Sequence, residues 1–327
     1  MSNKIRQAVI FAAGKGARFR PYSAMSPKAL FKVNGEPLIK RSLEQIDRFF
    51  PDLDRIIILS GDDNGLIQKS LLTHSAVNKC DFISVPENYI SMGLIGGYAF
   101  IKNQIGEEEL FLSVLGDEYY GGKDHPRFVD FINKTEIISG CCAIKRFTYP
   151  DEYLKNYSVE IDSSNKITQI TEKPTTVTSE YFGLGFFAAR GHLCSLASDS
   201  VETLEKVELF DLLQKTSSPM APLVGFEFKD TYVNINTPSD IYDCLRQTRR
   251  EKQHSIDIII PAWNEAKTIK YVVEDFLQYA NSVIVMDNIS EDGTARIARD
   301  AGAKVYSEPL KGYGDAIKKG LDRSSAD

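Results

Sequence analysis

At 327 residues the chain has the length of about two average domains, and its 43% hydrophobic and 26% charged content is that of a folded globular protein. This composition excludes a disordered, collagen-like or low-complexity chain. The net charge of −6, without a basic stripe, argues against a nucleic-acid binder, and no apolar run approaches the roughly 18 residues that cross a bilayer.

The opening Met1-Ser2-Asn3-Lys4-Ile5-Arg6 carries no secretory signal core, which predicts a cytoplasmic protein. It leads into Ala8-Val9-Ile10-Phe11-Ala12-Ala13, the pattern of a strand buried on both faces. The strand ends in Gly14-Lys15-Gly16-Ala17-Arg18. Two glycines in such a turn let backbone N–H groups approach a phosphate, and Lys15 and Arg18 add cationic donors. The run is not G-x-x-x-x-G-K-[ST], and Phe19 at the third glycine position excludes G-x-G-x-x-G. Taken alone, a Gly-Lys-Gly loop is most often only a tight turn.

Pro37 to Phe49 carries apolar residues at helical spacing, and Arg55 to Ser60 is a short apolar strand ahead of Gly61-Asp62-Asp63. Leu94 to Ile105 is again helical, and Glu109 to Leu115 is a strand ending at Gly116-Asp117. This alternation predicts an α/β fold with a doubly wound, mostly parallel sheet. From about residue 137 to 190 the pattern becomes strand-rich, with turns at Asp162-Ser163-Ser164-Asn165 and Glu172-Lys173-Pro174. A mixed sheet with an insertion covering the mouth of the site follows. The polar stretch Arg246 to His254 reads as a helix end running into a linker, and places a domain boundary near 250: residues 1–250, then 251–327.

Five cysteines, at 80, 141, 142, 194 and 244, form no C-x-x-C pair, and four histidines show no ligand spacing. Cys141 and Cys142 are adjacent in a strand and point to opposite faces, so they cannot share a metal. Reduced thiols fit best.

The loop is followed by Ser26-Pro27-Lys28-Ala29-Leu30 and by Val33-Asn34-Gly35-Glu36-Pro37-Leu38. With these residues the chain resembles the sugar-1-phosphate nucleotidyltransferases, whose opening G-x-G-x-R…P-K-x-L…G-x-P-L/M is met at Gly14, Gly16, Arg18, Pro27, Lys28, Leu30, Gly35, Pro37 and Leu38. The resemblance extends to about residue 245. It implies a Rossmann-like nucleotidyltransferase fold and identifies Asp117 as the magnesium-binding aspartate. Glu172-Lys173-Pro174 resembles the family's E-K-P, which implies that Glu172 contacts the acceptor and Lys173 its phosphate. Tyr157 and Gly185, the latter in Gly183-Leu184-Gly185-Phe186-Phe187, fall on substrate-binding positions. Tyr232-Val233-Asn234-Ile235-Asn236-Thr237-Pro238 resembles the run that completes the metal site.

Departures from the family pattern are informative. Both positions for the second metal ligand are asparagines, of which Asn236, beside Thr237-Pro238, fits the ligand position best. A neutral amide oxygen can coordinate Mg²⁺ but donates less charge than a carboxylate. Asn88, five residues before Gly93, replaces the base-reading glutamine of many members, and Ser158 replaces a frequent glycine after Tyr157.

The activity this resemblance implies is Mg²⁺-dependent nucleotidyl transfer from a nucleoside triphosphate to a phosphorylated sugar or related phosphomonoester, releasing pyrophosphate. The activated donor would serve glycan or glycolipid assembly. Arg18, Lys28, Asp117 and Lys173 would be catalytic. Ala12, Ala13, Gly14, Lys15, Gly16, Asn88 and Gly93 would bind nucleotide. Tyr157, Glu172, Lys173 and Gly185 would bind the acceptor, with Asp117 and Asn236 on the metal. A weak activating domain fused to a glycosyltransferase, and a nucleotide-sensing scaffold without turnover, are the alternatives. Tyr119-Tyr120, with Tyr149 and Tyr153, could line a pocket for a cationic head group or could be ordinary packing aromatics.

Residues 256–322 contain Ile259-Ile260-Pro261-Ala262-Trp263-Asn264-Glu265 and Val283-Ile284-Val285-Met286-Asp287-Asn288-Ile289-Ser290-Glu291-Asp292-Gly293-Thr294, a β-α-β-α-β pattern with Asp287 at a strand end. They resemble the nucleotide-binding half of GT-A glycosyltransferases of the dolichyl-phosphate mannose synthase kind. The resemblance implies a small partial α/β GT-A segment in which Asp287 touches base or ribose, with Glu265 nearby. The D-x-D metal motif is missing from it, so the expectation is an incomplete glycosyltransferase unit. Such a unit exposes a sheet edge and should dock or self-associate, which predicts a homo-oligomer.

Overall fold

The computed structural model describes the chain except for residues 1–2, 15, 20–22, 24–25, 62–64, 148–155, 173, 204–206, 249–254, 310–311, 325 and 327. Two compact units result, Met1–Leu245 and Arg246–Asp327.

The first unit is built on one nine-stranded sheet. Its parallel core consists of β1 (Gln7–Ala12), β4 (Arg55–Ser60), β5 (Cys80–Ser84) and β6 (Leu110–Leu115), with β1 between β4 and β6. A short ribbon of β2 (Lys32–Val33) and β3 (Glu36–Pro37) lies between the first two of these in sequence. Alternation along the strands divides the core. Ala8, Ile10, Ile56 and Ile58 pack on one face with Ile39, Leu43, Ile46, Phe128 and Ile132 from helices Leu38–Phe49 and His125–Lys134. Val9, Phe11, Ile57 and Leu59 pack on the other with Ile95, Tyr98, Leu193 and Ala197 from helices Gly93–Phe100 and His192–Glu202. Strands buried on both faces need no polar residues, which is why they read as continuous apolar runs. Cys141 and Cys142 fall on opposite faces as their adjacency requires, and the five cysteines are free thiols.

The strand-rich region differs from its expected role. Instead of forming a separate cover, β8 (Gly140–Arg146), β9 (Tyr157–Ile161), β10 (Ile167–Glu172) and β11 (Tyr181–Arg190) extend the central sheet. The ten-residue β11 is antiparallel to β6 over Phe186–Arg190 and to β9 over Tyr181–Gly183. Its length lets one edge of the strand serve two neighbours while its other edge pairs with β8. β12 (Leu223–Glu227) pairs parallel to β8, completing a mixed sheet. A separate ribbon pairs β7 (Glu118–Tyr120) antiparallel with β13 (Tyr232–Asn234).

The second unit is a three-stranded parallel sheet of β14 (Asp257–Ala262), β15 (Ser282–Asp287) and β16 (Lys304–Ser307), in that order. Helices Ile269–Leu277, Thr294–Asp300 and Tyr313–Arg323 follow its strands. Its apolar core includes Ala262, Ile269, Val273, Val283, Val285 and Ala298. No helix among the described residues is long and apolar enough to cross a membrane.

Gly183 is set by a close approach. A Cβ there would stand 1.8 Å from Cζ of Tyr157, whose ring stacks on Phe210. Gly183→Ala is expected to cost about 3 kcal/mol, at the upper end for overpacking. Adding Tyr157→Leu to that variant should recover part of the loss. Urea unfolding of both variants tests this, and a cost below about 0.5 kcal/mol for Gly183→Ala, within the range of a neutral surface change, would count against the packing described.

Candidate active site

Parallel register places Ala12, Ser60 and Ser84 in one row at the C-terminal ends of β1, β4 and β5, with Leu115 of β6 opposite Phe11. Loops at this edge of a doubly wound sheet are where such folds bind ligands. The first loop turns at Gly16, whose φ of 57° lies in the left-handed region. Ser23 Oγ donates to the Gly16 carbonyl at 2.6 Å, and Phe19 N–H donates to the same oxygen at 2.8 Å. Phe19 is buried with Leu38, Tyr119, Val233 and Ile235, which anchors the far end of the turn. A Cβ on Gly14 would meet no atom of the described residues within 4 Å. Lys15 lies outside the described residues. Arg18 is exposed and donates from Nη2 to Asn236 Oδ1 at 3.0 Å.

Pro27 leads into a short 3-10 turn, Lys28–Leu30, which carries Lys28 inward. The Lys28 side chain is only 7% exposed and its Nζ lies 2.8 Å from Asp117 Oδ2. Asp117 connects β6 to β7, and the preceding Gly116 N–H donates to the Phe11 carbonyl at 2.8 Å. Pairing of β7 with β13 sets Glu118 opposite Asn234, so the Asp117 turn and the asparagine run lie side by side. The structure thus brings together Arg18 with Asn236 and Lys28 with Asp117.

A residue that motif reading passes over sits beside this pair. Glu118 is buried, and its carboxylate accepts from the hydroxyls of Tyr120 and Tyr232 and from the Gly185 N–H at 3.0 Å. Burial pushes its carboxyl up to about 7 despite these three donors. The signal available in sequence was a second acidic residue, directly after Asp117 and heading the aromatic pair Tyr119-Tyr120. Tyr119 and Tyr120 are themselves buried packing residues, which settles their alternatives in favour of packing; Tyr149 and Tyr153 lie outside the described residues.

On the expected acceptor side, Glu172 of β10, Tyr157 of β9 and Gly183 of β11 share one row across three strands. Two of the expected contacts take a different form. The Tyr157 ring is in the core and its hydroxyl donates to the Leu184 carbonyl at 3.0 Å, so the side chain is occupied by packing. Gly185 spends its N–H on Glu118. Lys173 lies outside the described residues. Asn88 lies in the short helix Glu87–Ile90, which follows β5, and Gly93 at φ 69° opens the next helix with no atom of the described residues within 4 Å of its Cβ position. Both therefore belong to the helical connection that leaves the C-terminal end of β5.

No cluster of three or more histidine, cysteine, aspartate or glutamate side chains that could hold a metal occurs among the described residues. The donor chemistry nevertheless fits a hard cation: the Asp117 carboxylate and the Asn236 amide oxygen each hold a cationic group of this chain, the Lys28 ammonium and the Arg18 guanidinium.

In the second unit, Ala262 and Asp287 are paired at the C-terminal ends of β14 and β15. The loops beyond them are stitched together: Ala266 N–H donates to Asp292 Oδ2 at 3.0 Å and Glu265 N–H to Thr294 Oγ1 at 2.7 Å. Asp287 is buried, and its Oδ1 has no hydrogen-bond partner among the described residues.

A glycine turn, a buried lysine–aspartate pair and an exposed arginine thus meet at the C-terminal strand edge of a mixed α/β sheet. The nucleotidyl transferase family model matches residues 7–265, and the chain belongs to that family. The glycosyl transferase family 2 model matches residues 257–327. Protein RfbJ of Shigella flexneri is 44% identical over 75 residues, 22% of this chain and 58% of that protein. The bifunctional IPC transferase and DIPP synthase of Aquifex aeolicus is 23% identical over 244 residues, 72% of this chain and 50% of that one. The chain therefore spans little more than half the length of these curated relatives. Inositol-1-phosphate CTP transferase from T. maritima has the same fold, with a TM-score of 0.61 at 18% identity over 76% of this chain and 98% of that one.

His125 lies beside Glu118's partner Tyr120, walled by Phe49, Phe186 and Phe228. Burial pulls its imidazole down to about 4. The unfolded chain therefore binds this proton first, and the stability that neutral His125 allows is lost as pH falls from 6.5 towards 4. Glu118 acts in the opposite sense between its ordinary value and about 7. Comparing His125→Phe with wild type cancels the Glu118 effect. From pH 7.5 to 5 the variant should gain about 2 kcal/mol on wild type in urea unfolding. Parallel stability curves would refute this reading of His125.

Proposed function

We propose that the first unit transfers a nucleotidyl group from a nucleoside triphosphate to a phosphorylated sugar or related phosphomonoester, producing an activated donor for glycan or glycolipid assembly. The observation that carries this reading is the Lys28–Asp117 pair beside an open glycine loop, with Arg18 on Asn236. A phosphate oxygen of the acceptor forms a bond to the α-phosphorus while the bond from that phosphorus to the β-bridging oxygen breaks, and pyrophosphate leaves. No protein nucleophile is required, so catalysis is positioning and charge neutralisation. Arg18 and the amides around Gly14 and Gly16 hold the β- and γ-phosphates and take up the charge of the leaving group. Lys28 neutralises the α-phosphate and the approaching acceptor oxygen. Lys173 binds the acceptor phosphate and Glu172 its organic part. Asp117 and Asn236 would hold Mg²⁺, which supplies Lewis-acid charge neutralisation to the phosphates when bound.

The family to which the chain belongs and the sugar- and inositol-phosphate enzymes among its relatives and fold neighbours support the reaction class. For the second unit we propose a nucleotide contact through Asp287, supported by its unpartnered buried oxygen and by the glycosyl transferase family 2 match.

The test is pyrophosphate release by the whole chain with Mg²⁺, pairing CTP, UTP, dTTP, ATP or GTP with phosphorylated sugars, polyols, choline and phosphonates. Release with one pair names the reaction. Silence from folded protein that still binds a triphosphate would favour a nucleotide sensor. Lys28→Ala and Asp117→Ala should each lower kcat/KM by roughly 100-fold or more. They should differ in stability. Asp117→Ala strands an ammonium that is almost wholly buried and should cost about 3 kcal/mol, whereas Lys28→Ala leaves a carboxylate that water can reach. Near wild-type turnover in either variant would overturn these roles.

A further inference from the structure

We propose that Asn156 is a positioning residue: it anchors a one-directional ladder of side-chain amides that holds the Arg18 guanidinium at the phosphate loop. This rests on the phosphate-holding role given to Arg18 above. Arg18 Nη2 donates to Asn236 Oδ1 at 3.0 Å, Asn236 Nδ2 to Asn234 Oδ1 at 2.8 Å, and Asn234 Nδ2 to Asn156 Oδ1 at 3.0 Å. Each amide thus turns its nitrogen towards Asn156 and its oxygen towards Arg18. The Tyr232 hydroxyl lies 3.3 Å from the same Asn156 oxygen and 3.0 Å from Glu118 Oε1, which ties the inner end of the ladder to the buried carboxyl.

Asparagine has nearly the same shape with its oxygen and nitrogen exchanged, so an isolated Asn236 could face Arg18 with either. A nitrogen facing a guanidinium offers donor to donor and holds nothing. Because the Asn236 nitrogen is spent on Asn234, its oxygen is the atom that turns to Arg18. The same logic accounts for an amide at position 234. An aspartate there would accept from Asn236 but could not donate to Asn156, and two acceptor oxygens would face each other. Asn156 starts the ladder just before β9, where it is half-buried and its carbonyl receives the Asn234 amide. Arg18 is exposed and long, and ordering such a side chain carries an entropic cost. A fixed acceptor meets that cost before a ligand arrives.

The test uses the whole chain as Asn156→Leu, which removes the accepting oxygen, and Asn156→Asp, which keeps one. In protein labelled with ¹⁵N-asparagine and free of nucleotide, side-chain amide signals of Asn234 and Asn236 are assigned from Asn234→Asp and Asn236→Asp. Asn156→Leu should shift both signals, while Asn156→Asp should keep the Asn236 signal near its wild-type position. In pyrophosphate release, Asn156→Leu should lower kcat by roughly tenfold to 100-fold, and Asn156→Asp should restore most of it. An unmoved Asn236 signal in Asn156→Leu, or equal loss of turnover in both variants, would overturn the proposal. If Asn156→Leu does not fold, Asn156→Asp and Asn234→Asp carry the test, since the first keeps and the second breaks the ladder. Responsive amide signals without turnover by wild type against any substrate pair would uphold the ladder and refute nucleotidyl transfer.

Discussion

The antiparallel pairing of Glu118–Tyr120 with Tyr232–Asn234 is the constraint on which the candidate site depends. Asp117 and Asn236 are far apart in sequence and belong to neither the same strand nor the same helix. The ribbon closes that separation by matching Glu118 with Asn234, so one residue before it and two residues after it reach the same edge. Its aromatic residues make the pairing costly to break. Tyr119 packs with Phe19 and Leu38, Tyr120 with Phe186 and Phe228, and Tyr232 with Phe182. Phe19 belongs to the glycine loop, so the cluster that holds the ribbon also fixes the turn carrying Arg18.

Burying Lys28 runs against stability. An ion pair taken out of water costs several kcal/mol in desolvation, and well-packed apolar residues of similar volume do as well or better. The chain accepts that cost at the C-terminal edge of its sheet, where Asp117 remains partly open to solvent. Asymmetric exposure of this kind holds a fixed cation beside an anion that a ligand or ion can still reach. The neighbouring Glu118 lacks such access and is held by protein donors on both oxygens. Two adjacent carboxyls are thereby given different environments, and only Asp117 is open to solvent.

The doubly wound sheet was legible in the sequence because β1, β4 and β6 are buried on both faces and so carry uninterrupted apolar runs. The glycine loop, Lys28 and Asp117 stood out only as parts of a composite motif that resembles the family's, since each alone reads as an ordinary turn or surface residue, and the structure brings Lys28 and Asp117 into contact. What escaped was set by long-range geometry. Tyr157 and Gly185 stand at expected acceptor positions, yet tertiary packing gives the tyrosine ring to the core and the glycine N–H to Glu118. The strand-rich stretch read as a cover because alternation cannot tell a hairpin laid over a sheet from one that extends it. That distinction depends on β11 being long enough to pair with both β6 and β9. Asn156 gave no signal, since its importance lies in which oxygen accepts from Asn234.

Asparagine at positions 234 and 236 changes the electrostatic balance as well as the geometry. Carboxylates there would add negative charge beside Asp117, which a bound triphosphate would oppose unless a metal ion cancelled it. Amides leave Arg18 and Lys28 beside the Asp117 carboxylate at the mouth of the glycine loop with less negative charge than carboxylates at 234 and 236 would bring. Neutral ligands give less charge to a cation than carboxylates do. More of the neutralisation then falls on the protein's own guanidinium and ammonium. A site that relies on fixed cations must hold them still, because an ammonium or guanidinium displaced by an ångström loses much of its hold on one phosphate oxygen. The burial of Lys28 against Asp117 and the ladder that ends on Arg18 are two solutions to that one requirement.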